Sequence, residues 1–275
     1  MPLLLTPRPT LERLFDDTYE VILADTETSR AIHRKIRYQV YCLERQFENP
    51  ADFPHGEEHD RWDHHAASFI VRHRASWQWV AAMRIVLPYA ATFPLEALHC
   101  LDPARKVGLP RRQLGEISRV CVIRSPTPHA RNPHLNWEFG HVDQDRESEI
   151  VLGFIRTLII YGLDRGIEHY YLLITGALAR LLRRLGMVLH LVGSPIEHRG
   201  WRTPYRMGVR ESMVSLCRRS PAVRALFARQ GLAYQPFSMF DDDIDDLLGP
   251  MHPFLPPLAA SGRPRAGARL PAASV

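Results

Sequence analysis

The chain is poor in cysteine and lacks a long apolar run. Only four of its 275 residues are cysteines, and no two form a CxxC pair, which favours reduced thiols over a disulfide framework or a thiolate metal site. No apolar stretch approaches the roughly 20 residues of a membrane-spanning helix. The first ten residues lack the charged n-region and the small-residue cleavage site of a secretory signal. We therefore expect a cytoplasmic protein with at most peripheral membrane contact.

Nucleic-acid-binding motifs are absent as well, although the chain is basic. Its net charge is +5 and its isoelectric point is about 9.2, which indicates an acidic partner: nucleic acid, anionic lipid or a small acidic carrier protein. Arginine is spread through the chain without a basic stripe interleaved with aromatic residues. Composition alone does not choose among these partners, but the missing motifs argue against nucleic acid.

What is present is an alternation of helical and strand periodicity. We predict an N-terminal extension at 1–18, an α/β domain at 19–211, a helical extension at 212–255 and a disordered tail at 256–275. The tail is assigned from its content of Pro, Ala, Gly and Arg. Strands are predicted at 19–24, 68–73, 78–87, 116–124, 169–174, 187–192 and 205–209, and helices at 29–44, 147–162 and 177–185.

Three groups of charged residues lie next to apolar sequence. They are Arg37 in IRYQVYCLE on the first predicted helix, Glu58, Asp60 and Asp63 in EEHDRWD just before the second strand, and a third group made of Arg84 in AAMRIV with Glu116 and Arg119 in GEISRVCV. The residues of the third group lie within strands that otherwise look like core. A charge in a core strand is costly unless it is paired. Three arginines and four carboxylates in such positions therefore predict one mutual network.

The spacing of two of these residues predicts an irregular strand. In a regular strand Glu116 and Arg119 would point to opposite faces, because side chains alternate with period two. Both reach one cleft only if the strand contains a bulge between them. A bulge also frees backbone N–H groups, which can stabilise the oxyanion of a tetrahedral intermediate.

The order Arg-x3-Tyr, E-x-D-x-x-D, a strand arginine and E-x-S-R resembles the acyl-homoserine-lactone (autoinducer) synthases and the related N-acyl amino acid synthases. The branch described as PEP-CTERM/exosortase system-associated acyltransferases is the most similar, sharing RYQVYCLE, PLE at 94–96 and EISR. The resemblance covers about residues 19–209. It implies an α/β fold of the GNAT type, with a mixed, V-shaped central sheet flanked by helices. It also implies transfer of a fatty-acyl group from acyl carrier protein to an amine.

The resemblance also assigns roles to residues. It places the family's charged cluster on Arg37, Glu58, Asp60, Asp63, Arg84, Glu116 and Arg119. We predict catalytic roles for Glu116, Asp60 and Arg119, and substrate-binding roles for Arg37, Tyr41, Phe47, Glu58, Asp63 and Arg84. Tyr41 and Phe47 stand where the family has an aromatic pair lining the amine pocket. Phe47 replaces the tryptophan usual in autoinducer synthases, which favours an amino acid over homoserine lactone as the acceptor.

The donor is expected to be a carrier protein, with acyl-coenzyme A as the alternative. GNAT enzymes that bind coenzyme A usually carry Q/R-x-x-G-x-G/A before the central helix, where backbone N–H groups bind pyrophosphate. This chain instead has HVDQDRESEIVLG at 141–153. Arg180, Arg183 and Arg184 on one predicted helix could contact an acidic carrier, although an ordinary solvated helix face explains them equally well.

Direct attack by the amine requires a base. An amine must be neutral to attack, but most amines are protonated near pH 7. A carboxylate can accept that proton directly or through one water, and Glu116 is the first candidate and Asp60 the second. No acyl-enzyme is needed, so Cys121 is interpreted as a core residue. No cofactor is expected, and HGEEH at 55–59 is not an HExxH zinc motif.

Two other interpretations remain open. The charged cluster could be a purely structural ion-pair network. The chain could also be a non-catalytic GNAT-like module that uses its basic surface to bind an acidic partner or nucleic acid.

Overall fold

A computed structural model describes residues 11–105, 108–124, 142, 146–229, 231 and 233–240. The expected tail at 256–275 lies outside the described residues, as do residues 241–255 of the predicted helical extension and the first ten residues of the predicted N-terminal extension. Within the described part of the chain, no helix is long and apolar enough to cross a membrane.

Nine strands of the described chain form one mixed sheet, in the order β6-β8-β5-β4-β3-β2-β1-β9, with β7 paired to β8. The strands are β1 Tyr19–Leu23, β2 Ala66–His73, β3 Trp79–Val86, β4 Leu114–Val122, β5 His169–Ile174, β6 Leu189–Leu191, β7 Ile196–Glu197, β8 Trp201–Gly208 and β9 Gln235–Pro236. Strands β1 to β4 pair antiparallel, and β4 pairs parallel to β5. The seven strands predicted from the sequence are thereby confirmed, with shifted ends.

Helices cover both faces of this sheet. They are α1 Leu11–Thr18, α2 Glu27–Arg37, α3 Pro94–Ala97, α4 Glu147–Arg165, α5 Gly176–Leu185, α6 Val209–Arg219 and α7 Pro221–Ala228. Helix α2 begins at a capping box, in which Thr26 Oγ1 accepts a hydrogen bond from Ser29 N at 3.2 Å and Ser29 Oγ accepts one from Thr26 N at 3.1 Å. Helix α5 ends at Gly186, whose φ of 111° gives the left-handed cap expected from the sequence.

The predicted helix at 29–44 differs from the structure in one respect. Helix α2 ends at Arg37, and Tyr38–Glu44 continues as a π-helix. Apolar spacing does not distinguish the two helix types over so short a segment.

The main core lies between one sheet face and helices α1, α4, α5, α6 and α7. Helix α4 crosses this core, and buried residues occupy all of its sides from Ile150 to Gly162. A smaller apolar cluster lies on the opposite face, where Ile32, Ile36 and Val40 pack against Ile70 and Ala82. The face covered by α2 is also the face that carries the charged residues.

Helix α1, within the predicted N-terminal extension, is part of the main core. Phe15 is fully buried there, and Asp16 forms an ion pair of 2.6 Å with the buried Arg156 of α4. The predicted boundary between residues 211 and 212 falls inside α6, whose Val209 and Leu216 belong to the same core. The described parts of both predicted extensions therefore share the core of the α/β domain.

Strands β4 and β5 separate halfway along their length. Their pairing runs from Leu114 and His169 to Ile117 and Leu172 and then stops, although both strands continue. The parting strands give the sheet the V shape that the resemblance implied.

Candidate active site

Strand β4 carries the predicted irregularity beside the opening of the V. Ala82 of β3 faces Cys121, but Arg84 faces Ser118, so Arg119 and Val120 together lie opposite Met83. Arg119 has a φ of 50°, a conformation that is uncommon for a residue other than glycine. This left-handed residue turns the Arg119 side chain toward the face that also carries Arg84 and Ser118. Strand β4 therefore contains a bulge, but it lies at Arg119 and Val120 and not between Glu116 and Arg119 as predicted.

Six of the seven predicted charged residues form one network. Arg37 contacts Glu58 through Nε and Asp63 Oδ1 through Nη1 at 2.6 Å. Arg84 Nη1 lies 2.5 Å from Asp60 Oδ1 and 2.7 Å from Asp63 Oδ1. Arg119 Nη2 lies 3.0 Å from both Glu58 Oε1 and Asp60 Oδ2. Each of the three carboxylates therefore bridges two arginines.

Burial and charge act in opposite directions on these carboxylates. Burial alone would raise the pKa of Asp63, but Arg37 and Arg84 hold that pKa far below its usual range. The pKa values of Glu58 and Asp60 are lowered in the same way, by Arg37 and Arg119 for Glu58 and by Arg84 and Arg119 for Asp60. All three groups are ionised at neutral pH and are weak bases.

Glu116 stands apart from the network, contrary to the prediction. Its Oε2 accepts a hydrogen bond of 2.9 Å from the Leu95 N–H of α3, and within the described chain it forms no ion pair. Burial raises the pKa of Glu116 to about 8, although the Leu95 N–H and the charge of Arg84 act in the opposite direction. The prediction failed because Glu116 faces Val86, two residues further along β3 than Arg84.

The predicted aromatic pair lies at the edge of the network. The ring centroids of Tyr41 and Phe47 are 6.1 Å apart. The guanidinium of Arg119 lies 5.3 Å from the Tyr41 ring centroid. Tyr41, Phe47 and the bulged strand therefore line one region.

The sequence reasoning missed two charged residues of this region. Glu48 forms an ion pair with Arg199, which belongs to the turn between β7 and β8, and its Oε1 lies 3.9 Å from Arg119 Nη2. Arg199 also lies 5.7 Å from the Tyr41 ring centroid. Neither residue lies in a core-like segment, so their sequence carries no sign of this contact.

A largely apolar cavity of about 140 Å³ lies between the parted strands. Its lining includes Ile117, Ser118, Arg119 and Val120 of β4, Leu172 and Leu173 of β5, Phe154 and Leu158 of α4, and Leu178 and Leu182 of α5, with Tyr41 and Arg202. The polar side chains of the lining are those of Ser118, Arg119, Tyr41 and Arg202. The cavity thus has an apolar interior with polar groups beside the bulge.

A second, polar cavity of about 620 Å³ lies beside the first half of α2. Asp60, Asp63 and His33 line it, together with Glu57 and Arg34. His33 is buried, and burial lowers the pKa of its imidazole well below the usual value, as do Arg37 and Arg84. The charged network therefore touches this cavity through Asp60 and Asp63.

The remaining predicted features concern the donor. The first turn of α4 carries Glu147 and Glu149, and acids at a helix N-terminus disfavour a pyrophosphate there. Arg180, Arg183 and Arg184 of α5 are exposed, and among the described residues no carboxylate forms an ion pair with any of them.

The Cys121 thiol is buried, and burial raises its pKa to about 12, which fits a core residue.

Comparisons with known proteins agree with this architecture. Residues 36–129 match the family described as an acetyltransferase (GNAT) domain. No curated protein matches the chain by sequence.

Three solved structures illustrate the similarity of this fold to known folds. The CoA-dependent acyl-homoserine lactone synthase BjaI with SAM and isopentyl-CoA superposes with a TM-score of 0.55 at 15% identity, over 80% of this chain and 92% of that chain. TofI in a ternary complex with an inhibitor and MTA gives 0.52 at 16% identity, over 74% and 99%. The AHL synthase LasI gives 0.52 at 16% identity, over 72% and 94%. The chain therefore has a GNAT-type fold, similar to that of the acyl-homoserine-lactone synthases.

Proposed function

We propose that the chain is an N-acyltransferase, which moves a fatty-acyl group from the thioester of an acyl carrier protein to the amine of an amino acid. The observation that carries this proposal is the apolar cavity between the parted strands, which opens beside the bulge and the charged network. An apolar cavity suits an acyl chain, and the bulge adds polar backbone at its edge.

The bulge supports a role in stabilising the transition state. Arg119 and Val120 have no assigned partner residue on β3 or β5. Their N–H groups are the proposed donors to the thioester carbonyl oxygen, which becomes negatively charged as the amine attacks. The bond from the amine nitrogen to the carbonyl carbon forms, the carbon–sulfur bond breaks, and the carrier leaves as a thiol.

Glu116 remains the proposed base for the amine proton. Asp60 is held by Arg84 and Arg119, and a carboxylate with a lowered pKa accepts a proton poorly. The pKa of Glu116, about 8, is closer to that of an amine. A water molecule would carry the proton from the cleft, because Glu116 itself lines neither of the two cavities described above.

The proposed acceptor is an amino acid. Phe47 in place of tryptophan supports an amino acid, whereas the similarity to BjaI and LasI favours acyl-homoserine-lactone synthesis as the second candidate. The motifs RYQVYCLE and EISR further support assignment to the PEP-CTERM/exosortase-associated branch.

The proposed donor is an acyl carrier protein. Acids in the first turn of α4 support a carrier protein over coenzyme A, with Arg180, Arg183 and Arg184 as the proposed contacts to its acidic surface. BjaI is described as CoA-dependent, so acyl-coenzyme A stays the alternative donor.

A direct assay tests the proposal. Purified chain is incubated with a fatty-acyl carrier protein or the matching acyl-coenzyme A, and with a panel of amino acids or S-adenosylmethionine, and products are identified by mass spectrometry. We expect an N-acyl amino acid from the wild type and at least roughly 100-fold less from Glu116→Gln. The exposed Glu168→Gln variant should match the wild type.

Other outcomes separate the alternatives. An acyl-homoserine lactone made from S-adenosylmethionine would favour the second candidate. If no donor and acceptor give an acyl product, the proposal is wrong. Nucleic-acid binding that weakens steeply with salt, without acylation, would identify a binding module instead.

A further inference from the structure

The turn between β7 and β8 brings Arg202 to the apolar cavity and Arg199 close to Tyr41, which lines that cavity. Arg199, at the turn, has a φ of 54° and contacts Glu48. Arg202 follows on β8 and lines the cavity together with Tyr41, Ser118 and Arg119. Both arginines are distant in sequence from the residues of the charged network, although the fold brings them close to it.

Arg202 differs from the other arginines of this region in its partners. Its Nε donates to the His198 carbonyl oxygen at 2.9 Å, and its Nη2 lies 3.4 Å from the Arg199 carbonyl oxygen. Among the described residues no carboxylate lies within ion-pair distance of Arg202, whereas Arg119 has Glu58 and Asp60. The backbone carbonyls fix its orientation and leave its charge unneutralised.

The neighbouring charges add to this excess of positive charge. Burial lowers the pKa of Arg199, and Arg202 lowers it further. Burial also lowers the pKa of His198, with contributions from Arg202 and Arg119. Two carboxylates lie near this turn within the described chain. Glu48 already contacts Arg199 and lies close to Arg119, and Glu197 accepts a hydrogen bond from the Gly200 N–H. An anionic group bound at Arg202 would relieve the repulsion.

We propose that Arg202 binds the α-carboxylate of the acceptor, an inference that rests on the acyl transfer proposed above. A planar guanidinium can donate two parallel hydrogen bonds to a carboxylate. In an α-amino acid the carboxylate and the amine share one carbon, so a carboxylate held at Arg202 keeps the amine beside the bulged strand. Arg202 thereby selects amino acids over amines that lack a carboxylate.

The phosphate of a donor's pantetheine arm has similar chemistry and is the competing source of an anion. The two sources are separable, because a carboxylate belongs to the acceptor and the phosphate to the donor. Acyl-pantetheine without a phosphate serves as the donor probe. Amino acids and their decarboxylated amines serve as the acceptor probes.

The experiment compares wild type, Arg202→Gln and Arg202→Lys, with the exposed arginine variant Arg210→Gln as the matched control. Calorimetric affinities and kcat/KM are measured for three pairs: tyrosine and tyramine, leucine and 3-methylbutylamine, and S-adenosylmethionine and its decarboxylated form. For at least one pair, the wild type and Arg210→Gln should prefer the carboxylate-bearing member by about 10- to 100-fold, the size expected of a charge-assisted pair. Arg202→Gln should lose this preference and Arg202→Lys should keep part of it.

The possible results separate a carboxylate subsite at Arg202 from the alternatives. The inference is overturned if the folded Arg202→Gln protein keeps the preference, if the wild type shows none, or if no pair binds. It is also overturned if Arg202→Gln raises KM for the acyl carrier protein or acyl-coenzyme A but not for acyl-pantetheine. If the wild type shows the Arg202-dependent preference in binding but makes no acyl product, the carboxylate subsite stands and the proposed acyl transfer fails.

Discussion

At the scale of single residues, the site contains two kinds of buried carboxylate. Asp60 and Asp63 lie between arginines, and their pKa values are lowered. Glu116 has only a backbone N–H as its hydrogen-bond donor in the described structure, and its pKa is raised to about 8. Carboxylates with separated pKa values can take different roles, one group remaining charged and the other exchanging a proton.

The raised pKa of Glu116 predicts a pH-dependent rate. If Glu116 is the base, it must be ionised, so its contribution should raise kcat about tenfold per pH unit below pH 8 and level off above it. The acceptor amine titrates as well, and its contribution is measured in Glu116→Gln. Subtracting that profile from the wild-type profile isolates Glu116. Parallel profiles would remove Glu116 from the proton transfer.

The same group predicts how stability depends on pH. The folded state holds the Glu116 proton up to about pH 8, whereas an unfolded chain releases it near the ordinary glutamate value. The contribution of this carboxyl is therefore fully present below about pH 4 and is lost as the pH rises through about 8. The free energy of unfolding of wild type minus that of Glu116→Gln should fall from pH 5 to pH 8 in urea titrations. A difference that rises with pH would contradict the burial of Glu116.

At the scale of elements, an irregularity in β4 was predicted, but its position and its surroundings were not. The three-residue spacing of Glu116 and Arg119 predicts a bulge between them only if both enter one cleft, whereas the bulge lies at Arg119 and Val120 and Glu116 stays outside the network. Periodicity does not give the strand register, however, and the register directs Glu116 toward α3. Glu48 and Arg199 meet through a turn 151 positions away in the chain, which no local pattern encodes.

The side chains of α5 that line the apolar cavity should limit the length of the acyl chain that the cavity accepts. Leu178 of α5 lines the cavity, and Leu178→Phe fills part of its volume. Each methylene that the cavity no longer holds removes about 0.8 kcal/mol of binding free energy, so the preferred acyl chain should shorten. Leu181→Phe, on the same helix but outside the cavity lining, is the control. Product chain lengths are read by mass spectrometry, and an unchanged distribution in Leu178→Phe would place the acyl chain elsewhere.

At the scale of the whole molecule, the sheet and its helices followed from the sequence and the contribution of the ends did not. Seven of the strands were predicted from the local pattern of apolar residues, because a strand that is buried in a sheet carries its apolar residues in one short segment of the chain. Helix α1 is short, and its membership in the core depends on a pairing between Asp16 and Arg156, 140 positions apart. Such a pair leaves no periodic signal.

The Asp16–Arg156 pair makes the N-terminal helix a determinant of stability. Asp16 contacts both terminal nitrogens of Arg156, and removing one partner of such a buried ion pair typically costs about 3 to 5 kcal/mol, since the remaining buried charge loses that attraction. We expect a loss of this size for Asp16→Ala in urea unfolding. The adjacent Asp17→Ala, at an exposed position, should change stability by less than about 0.5 kcal/mol. Equal effects of the two substitutions would mean that α1 is only loosely attached.

The π-helix at Tyr38–Glu44 has a consequence for how related chains can vary. Successive residues of an α-helix turn by about 100°, and each π-type hydrogen bond encloses one residue more than an α-helical bond does. The segment therefore sets the angle between Arg37, which points into the ion pairs, and the Tyr41 ring beneath Arg119 and Arg199. Loss of a single position would rotate that ring away from both guanidinium groups. In homologous proteins we expect the number of residues between these two positions to vary less than their identities.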